Sequence, residues 1–493
     1  MGGTNFDAVV VGSGPNGLAA AVTLAAAGVR VLVLEGADSA GGGCRTEELT
    51  LPGFHHDACS AVHPLALASP FFRSFDLAAR GVRLLHPEVV FAHPLDGGQA
   101  ALVFRSVQET AAGLGADESA YLSLLGPLVR RALAVGDWVL SGQRRLPRDP
   151  LALSAYAVHG LRSAASVAQR FSTPAARGLL AGVAAHSMMP LSKPPTAGVA
   201  TMLTAFAHRV GWPLVEGGSS QITRALVAAV GAGGGRVETG TWVRSLAELP
   251  AARAVILDVS PLALVQLAGD RLPDRYRKAL ERFHYGVGVC KVDFALSGPV
   301  PWTNPGCRRA GTLHLGGTLE EVATSEDQVW LGRHPERPYV LAVQPGVVDA
   351  GRAPAGQHTL WAYCHVPSGS TVDMAERIVA QVERFAPGFR ELILARSVRT
   401  AAQQEAYDPN CVGGDIACGA ATLRQTFFRP TPRWSPHRTP LRGLYLCSSA
   451  TVPGPGVHGQ CGALAARAAL ADVFGVRDLT ELKPPSPSPV DAR

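Results

Sequence analysis

Lysine is nearly missing from this 493-residue chain: only Lys193, Lys278, Lys291 and Lys483 stand against 41 arginines. Any chemistry that needs an amine therefore has very few candidates. Charged residues of all kinds are 17% and aromatics 6%, both low for a globular protein. The hydrophobic share of 47% excludes disorder over most of the chain. Nine scattered cysteines contain no Cys-x-x-Cys pair, which argues against a zinc site and a disulfide framework and for reduced thiols in a cytoplasmic protein. No basic leader precedes the apolar run at Phe6, and no uncharged apolar span of membrane length occurs. The net charge of +6 is spread out, and its densest cluster, around Arg144, Arg145 and Arg148, is short. No basic stripe interleaved with aromatics points to nucleic acid.

What the chain has in excess is glycine and proline, 54 and 37 residues. The first glycine cluster carries chemistry. Asp7 to Val11 reads as a strand, Gly12-Ser13-Gly14-Pro15-Asn16-Gly17 as a turn, Leu18 to Ala27 as a helix, and Val29 to Leu34 as a second strand ending on Glu35. This is a dinucleotide-binding βαβ unit. Gly12 permits the tight turn, Gly14 lets a pyrophosphate approach the backbone, and Gly17 lets helix and strand pack closely. The N-terminus of the helix then presents free N–H groups to the phosphates. Glu35 is placed to take hydrogen bonds from a ribose, which disfavours a 2′-phosphate and leaves NAD or FAD.

The C-terminus favours FAD. A strand at Leu444 to Ser448, a Gly/Pro turn from Pro453 to Gly459 and a helix from Gln460 to Phe474 repeat the strand, turn and helix pattern. Such a turn can bring a helix N-terminus under a flavin ring. Between the two ends, residues 76 to 214 read as mainly helical. Ser219 to Ala232 reads as a helix, and Arg236 to Glu238, Thr241 to Ser245 and Ala254 to Val259 as short strands. Helix and strand then mix to about 410.

These motifs resemble the FAD-dependent oxidoreductases of the phytoene-desaturase and flavin amine oxidase group. Within it, the resemblance is to phytoene-dehydrogenase-like proteins related to pyridine nucleotide-disulfide oxidoreductase domain-containing protein 2. Besides the glycine loop and Glu35 it rests on Gly41-Gly42 through Thr46-Glu47-Glu48 to Pro52-Gly53-Phe54, on Gly217-Gly218-Ser219, on Gly414-Asp415-Ile416 and on the closing turn through Gly462. It implies an α/β fold: a discontinuous Rossmann-like FAD-binding domain with an inserted α+β substrate domain. The FAD-binding parts would be 1–75, 215–260 and 411–480. A helical cap would occupy 76–214, a mixed substrate domain 261–410 and a disordered tail 481–493.

Carried onto this chain, the resemblance assigns Gly12, Gly14, Pro15, Asn16 and Gly17 to the pyrophosphate and Glu35 to the adenosine ribose. Gly41 and Gly42 would pass close to the cofactor, Val243 would bind the adenine through its backbone, and Gly456 and Val457 would meet the flavin ring. The family's arginine after the double glycine is replaced by Gly43, leaving Arg45 as the cationic cofactor contact. No second cysteine follows Cys44 at short spacing, so thiol–disulfide exchange is not expected.

Four residues are candidates for catalysis. Lys291, in the apolar strand Val287 to Leu296, resembles the lysine that amine oxidases carry near flavin N5; it reads equally as a strand lysine facing solvent or paired with Asp293. His458 either faces the ring or caps the last helix. His63, clustered with His55 and His56 after the second glycine segment, is an active-site candidate; Asp415 either bonds near the flavin or caps a turn, and His186 reads as core or pocket wall. No metal site is expected.

The implied activity is dehydrogenation of an apolar, lipid- or polyene-like molecule by hydride transfer to flavin N5, with O₂, quinone or NAD left open as acceptor. An amine oxidase using Lys291 is the alternative, with Trp361, Tyr363 and Tyr445 as candidates for an aromatic cage. A non-enzymatic binding protein on the same fold, as in Rab GDP-dissociation inhibitors, is a second. Peripheral membrane contact and oligomeric state stay open.

Overall fold

In the computed structural model, residues 6–142 and 146–477 are described. Arg144, Arg145 and the expected disordered tail at 481–493 lie outside them.

The first βαβ unit forms as its sequence dictates. Strands Ala8–Val11 and Val31–Leu34 pair in parallel, with Val9 opposite Leu32. Helix Pro15–Ala25 connects them, opening on a proline whose missing N–H costs nothing at that position. Three remote segments complete a five-stranded parallel sheet in the order Leu444–Leu446, Ala254–Leu257, Ala8–Val11, Val31–Leu34, Arg236–Glu238. Its central strands are continuous runs of Val, Leu, Ile and Ala because helices cover both faces. Val10 and Val33 pack under the first helix and under helices Ser220–Ala232 and Gln460–Ala469; Val9, Leu32 and Leu257 pack under Leu264 and Leu280 of the opposite layer. The last helix lies so close to the first that a Cβ on Gly462 would fall 1.8 Å from the Asn16 carbonyl oxygen.

A second sheet has seven strands in the order Ile393–Arg399, Gly288–Leu296, His358–Val366, Val340–Val343, Ala310–Leu315, Val89–Pro94, Ala100–Val103. All its pairs are antiparallel except Ala310–Leu315 with Val89–Pro94. Two-residue periodicity sorts its side chains. Cys290, Val292 and Phe294 pack with Ile378, Val379 and Val382 of helix Ala375–Phe385. The other face carries Lys291 opposite Tyr363 and Asp293 opposite Trp361. A helical layer, including Glu118–Leu140, Pro174–Ala184 and Thr196–Arg209, covers Val289, Leu341, Val343, Trp361 and Tyr363 on this side. Each such large apolar side chain contributes roughly 1.5–3 kcal/mol through burial.

Two expectations need correction. The stretch 76–214 also supplies two strands to the larger sheet, closed into a hairpin by Asp96-Gly97-Gly98. Thr241 to Ser245 is not a strand: after Thr241 N–H donates to the Glu35 carbonyl (2.7 Å), the chain runs on outside the sheet. All nine cysteines are free. No helix among the described residues is long and apolar enough to cross a membrane.

Candidate functional site

The parallel strands end together, so Gly12, Glu35 and Asp258 emerge at one sheet edge. This carboxyl edge is where open α/β sheets bind ligands. A cavity of about 1080 Å³ begins there and continues into the helical layer.

At its mouth Gly12 has φ +96°, and a Cβ on it would stand 2.9 Å from the Asp258 carbonyl oxygen; one on Gly14 would stand 2.8 Å from Asp258 Oδ2. The Glu35 carboxylate accepts hydrogen bonds from Ser13 N–H (2.9 Å), Ser13 Oγ (2.6 Å) and Ala37 N–H (2.9 Å), which fix it at the cavity rim. Pro15, Asn16, Gly42, Val243, Gly456 and Val457 also border the cavity. Gly17 and Gly41 act one step back: Gly17 N–H donates to Asp258 Oδ2 (2.8 Å) and Gly41 N–H to Ser13 Oγ (3.1 Å). Arg45 reaches the wall despite its displaced position, with Nε donating to the Gly42 carbonyl (3.1 Å) and its guanidinium 4.8 Å from the Tyr407 ring.

These residues suit a dinucleotide. Two wall residues near the glycine loop, Asn16 and Ser448, have buried side-chain oxygens (Asn16 Oδ1 and Ser448 Oγ) with no hydrogen-bond partner among the described residues. Such atoms are expensive unless a ligand satisfies them.

Asp258 is the functional residue that sequence reading missed. Burial pushes its carboxyl up to about 7, against the Gly17 N–H, and the nearby Asp408 and Glu35 push the same way. Its signal was its place directly after a buried strand, on the same edge as Glu35.

Deeper in, the wall is mostly apolar and aromatic: Leu65, Val139, Met188, Met202, Trp212, Leu341, Trp361 and Tyr363. Trp361 and Tyr363 stand edge to face, with centroids 5.2 Å apart. Tyr445, the third cage candidate, is instead a sheet residue whose hydroxyl donates to Asp472 (3.2 Å).

His63 belongs to this wall and is fully buried. Ser219 Oγ donates its proton to the Ser60 carbonyl, so at His63 Nε2 (2.9 Å) it can only accept. The ring therefore carries its proton on Nε2 and leaves a bare lone pair on Nδ1, which has no partner among the described residues. Burial pushes the ring down to about 4, so it is neutral at ordinary pH.

The other three catalytic candidates are not in the cavity wall. Lys291 is buried and donates to Asp293 Oδ2, with its amine 5.5 Å from the Trp361 ring centre. Burial lowers the ammonium and raises the Asp293 carboxyl, each opposed by the other's presence. Asp293 Oδ1 faces His56 Nδ1 at 3.7 Å, and neighbouring Asp57 is locked to Arg352 (2.8 Å). His458 is corrected to a cap: Nε2 bonds the Gly454 carbonyl (3.0 Å) and Nδ1 accepts from Gln460 N–H (3.0 Å), which occupies both nitrogens at the start of the last helix. Asp415 is corrected to a loop organiser, accepting from Gly286, Gly419 and Ala417 N–H groups at 2.6, 2.7 and 2.8 Å. No group of His, Cys, Asp or Glu among the described residues could hold a metal ion.

Comparison with known proteins agrees with this geometry. A family model for an NAD(P)-binding Rossmann-like domain matches residues 10–76. Pyridine nucleotide-disulfide oxidoreductase domain-containing protein 2 from Rattus norvegicus is 26% identical over 95% of this chain and 94% of its own. 4,4'-Diapolycopen-4-al dehydrogenase from Metabacillus indicus is 30% identical over 25% of this chain and 26% of its own. Among solved structures, an oxidoreductase from Methanosarcina mazei superposes with a TM-score of 0.64 at 17% identity, covering 94% of this chain and 99% of that one. Wild-type putrescine oxidase bound to putrescine gives 0.58 at 18%, covering 96% and 99%. At these identities the structures share the fold.

Proposed function

We propose that this chain, an FAD-dependent oxidoreductase of the phytoene-desaturase and flavin amine oxidase group, dehydrogenates a largely apolar, lipid- or polyene-like substrate. One observation carries the reading: the dinucleotide cleft opens without a break into a chamber of apolar and aromatic side chains. The carboxylates bordering the cavity are Glu35, Asp258, Glu405 and Asp408. None is free in the chamber: Asp258 and Asp408 sit near Glu35, and Glu405 is spent on Gly413 N–H (2.9 Å). An apolar chain would gain roughly 25 cal/mol for each Å² it buries there.

FAD, when bound, supplies the two-electron acceptor for hydride. The protein supplies the rest. The glycine loop and first helix receive the pyrophosphate, and Glu35 the ribose. The chamber wall excludes water and holds the substrate chain. Loss of hydride from one carbon leaves a proton to be taken from its neighbour, and His63 Nδ1 offers a lone pair for it.

The test is anaerobic bleaching of the visible flavin band. Unsaturated or saturated apolar chains should bleach it and amines should not. Protein that takes up no flavin when FAD is supplied would end the proposal. A second reading, amine oxidation, is favoured by the Trp361 and Tyr363 pair with Lys291 beside it. Against it, Asp293 already holds the Lys291 amine. Peroxide release with amines alone would select it.

A further inference from the structure

The apolar chamber has a polar spot at the end of helix Pro174–Ala184. There the turn Ala185–Ser187 brings His186 and Ser187 into the cavity wall. Ser187 is 4% exposed, and its Oγ has no hydrogen-bond partner among the described residues. Met188, the next residue, holds a left-handed backbone (φ +53°) that β-carbon sterics disfavour. Strain of this kind persists where the surroundings impose it, often at ligand-binding segments.

The proton on His186 can be placed. Its Nε2 lies 2.9 Å from His314 Nε2. His314 is fully buried, and its Nδ1 has no partner among the described residues. Burial holds both rings neutral. An orphaned N–H is rarer and costlier than an orphaned lone pair, so His314 keeps its proton on Nε2 and donates to His186. His186 then carries its own proton on Nδ1. The wall thus offers neutral donors on two consecutive residues, the His186 Nδ1–H and the Ser187 hydroxyl.

We propose that this pair reads a neutral oxygen, above all a carbonyl, on an otherwise apolar substrate; the inference rests on the apolar-chamber reading and narrows the substrate class within it. A carbonyl oxygen has two lone pairs for the two donors. A carboxylate is disfavoured because the pair sits at the negative end of a helix. An ammonium is disfavoured because His186 presents a proton, and no carboxylate is free in the chamber.

The experiment uses the FAD-loaded protein and five probes of one chain length: an alkane, a 2-alkanone, a primary alcohol, a fatty acid and an alkylamine. Binding is followed by perturbation of the flavin spectrum and by quenching of tryptophan fluorescence, since Trp212 lies against His186. The ketone should bind about tenfold more tightly than the alkane, and the acid and amine more weakly than the ketone. Ser187→Ala should lower the ketone-to-alkane affinity ratio about fivefold, and His186→Phe should lower the same ratio. A ketone-to-alkane ratio unchanged in both variants, or an acid that binds better than the ketone, overturns the inference alone; an amine that binds best overturns it together with the apolar-substrate reading. Failure of every probe, the alkane included, overturns the apolar-chamber reading beneath it.

Discussion

Asp258→Asn tests how the cofactor edge is built. The Asp258 carboxyl is enclosed between strand end and first helix, accepts the Gly17 N–H at 2.8 Å, and is raised from 3.8 to about 7 chiefly by burial. Because the folded value lies above the unfolded one, folding takes up a proton between these two values. Stability is then full below the unfolded value and is lost as pH rises through the folded one. The slope is about 1.4 kcal/mol per pH unit in that window, so roughly 2–3 kcal/mol should disappear between pH 5 and pH 8. Asparagine keeps an acceptor for Gly17 and cannot ionise, so the variant should lack this loss. Urea unfolding of the FAD-free protein at both pH values, wild type against variant, isolates it from every other titrating group. Equal pH dependence in the two proteins would refute the reasoning. A negative Asp258 beside the glycine loop also opposes a pyrophosphate, so FAD affinity should fall with rising pH in the wild type and less in the variant.

Other outcomes follow from single contacts. Gly14→Val drives a side chain into Asp258 Oδ2, 2.8 Å from the new Cβ; the protein should keep its far-ultraviolet circular dichroism and lose its visible flavin absorbance. His63→Ala should slow flavin reduction about a hundredfold or more in stopped-flow, with FAD still bound, if the Nδ1 lone pair takes the substrate proton. Lys291→Met should cost about 3–5 kcal/mol in urea unfolding by stranding buried Asp293, and Lys291→Met with Asp293→Leu should cost less than the single change. Ser187→Ala removes an unpartnered buried hydroxyl, so the ligand-free protein should be stabilised by about 1 kcal/mol in the same assay.

Local pattern explains what the sequence made readable. The first strand, glycine turn and helix lie within one continuous stretch, and Glu35 and the closing turn carry their own residue signals. The α/β class follows from that stretch and the matching C-terminus. The seven-stranded sheet was not readable as a whole, because its parallel pair joins Val89–Pro94 to Ala310–Leu315, more than 200 residues away. The same remoteness hid the Arg352 that holds Asp57 and the Ser219 that sets the His63 tautomer. His458 illustrates the opposite failure: the cap was an open alternative in the sequence, and only the positions of Gly454 and Gln460 decide for it. Asp258 went unseen because its meaning comes from the helix packed over it, not from its neighbours in the chain.

The most direct test of the account is anaerobic reduction of the FAD-loaded protein by paired substrates, one an apolar chain and one an amine. Dehydrogenation of an apolar substrate requires bleaching of the visible flavin band by the apolar chain and none by the amine. Bleaching by the amine alone, with peroxide released on admitting air, would contradict it.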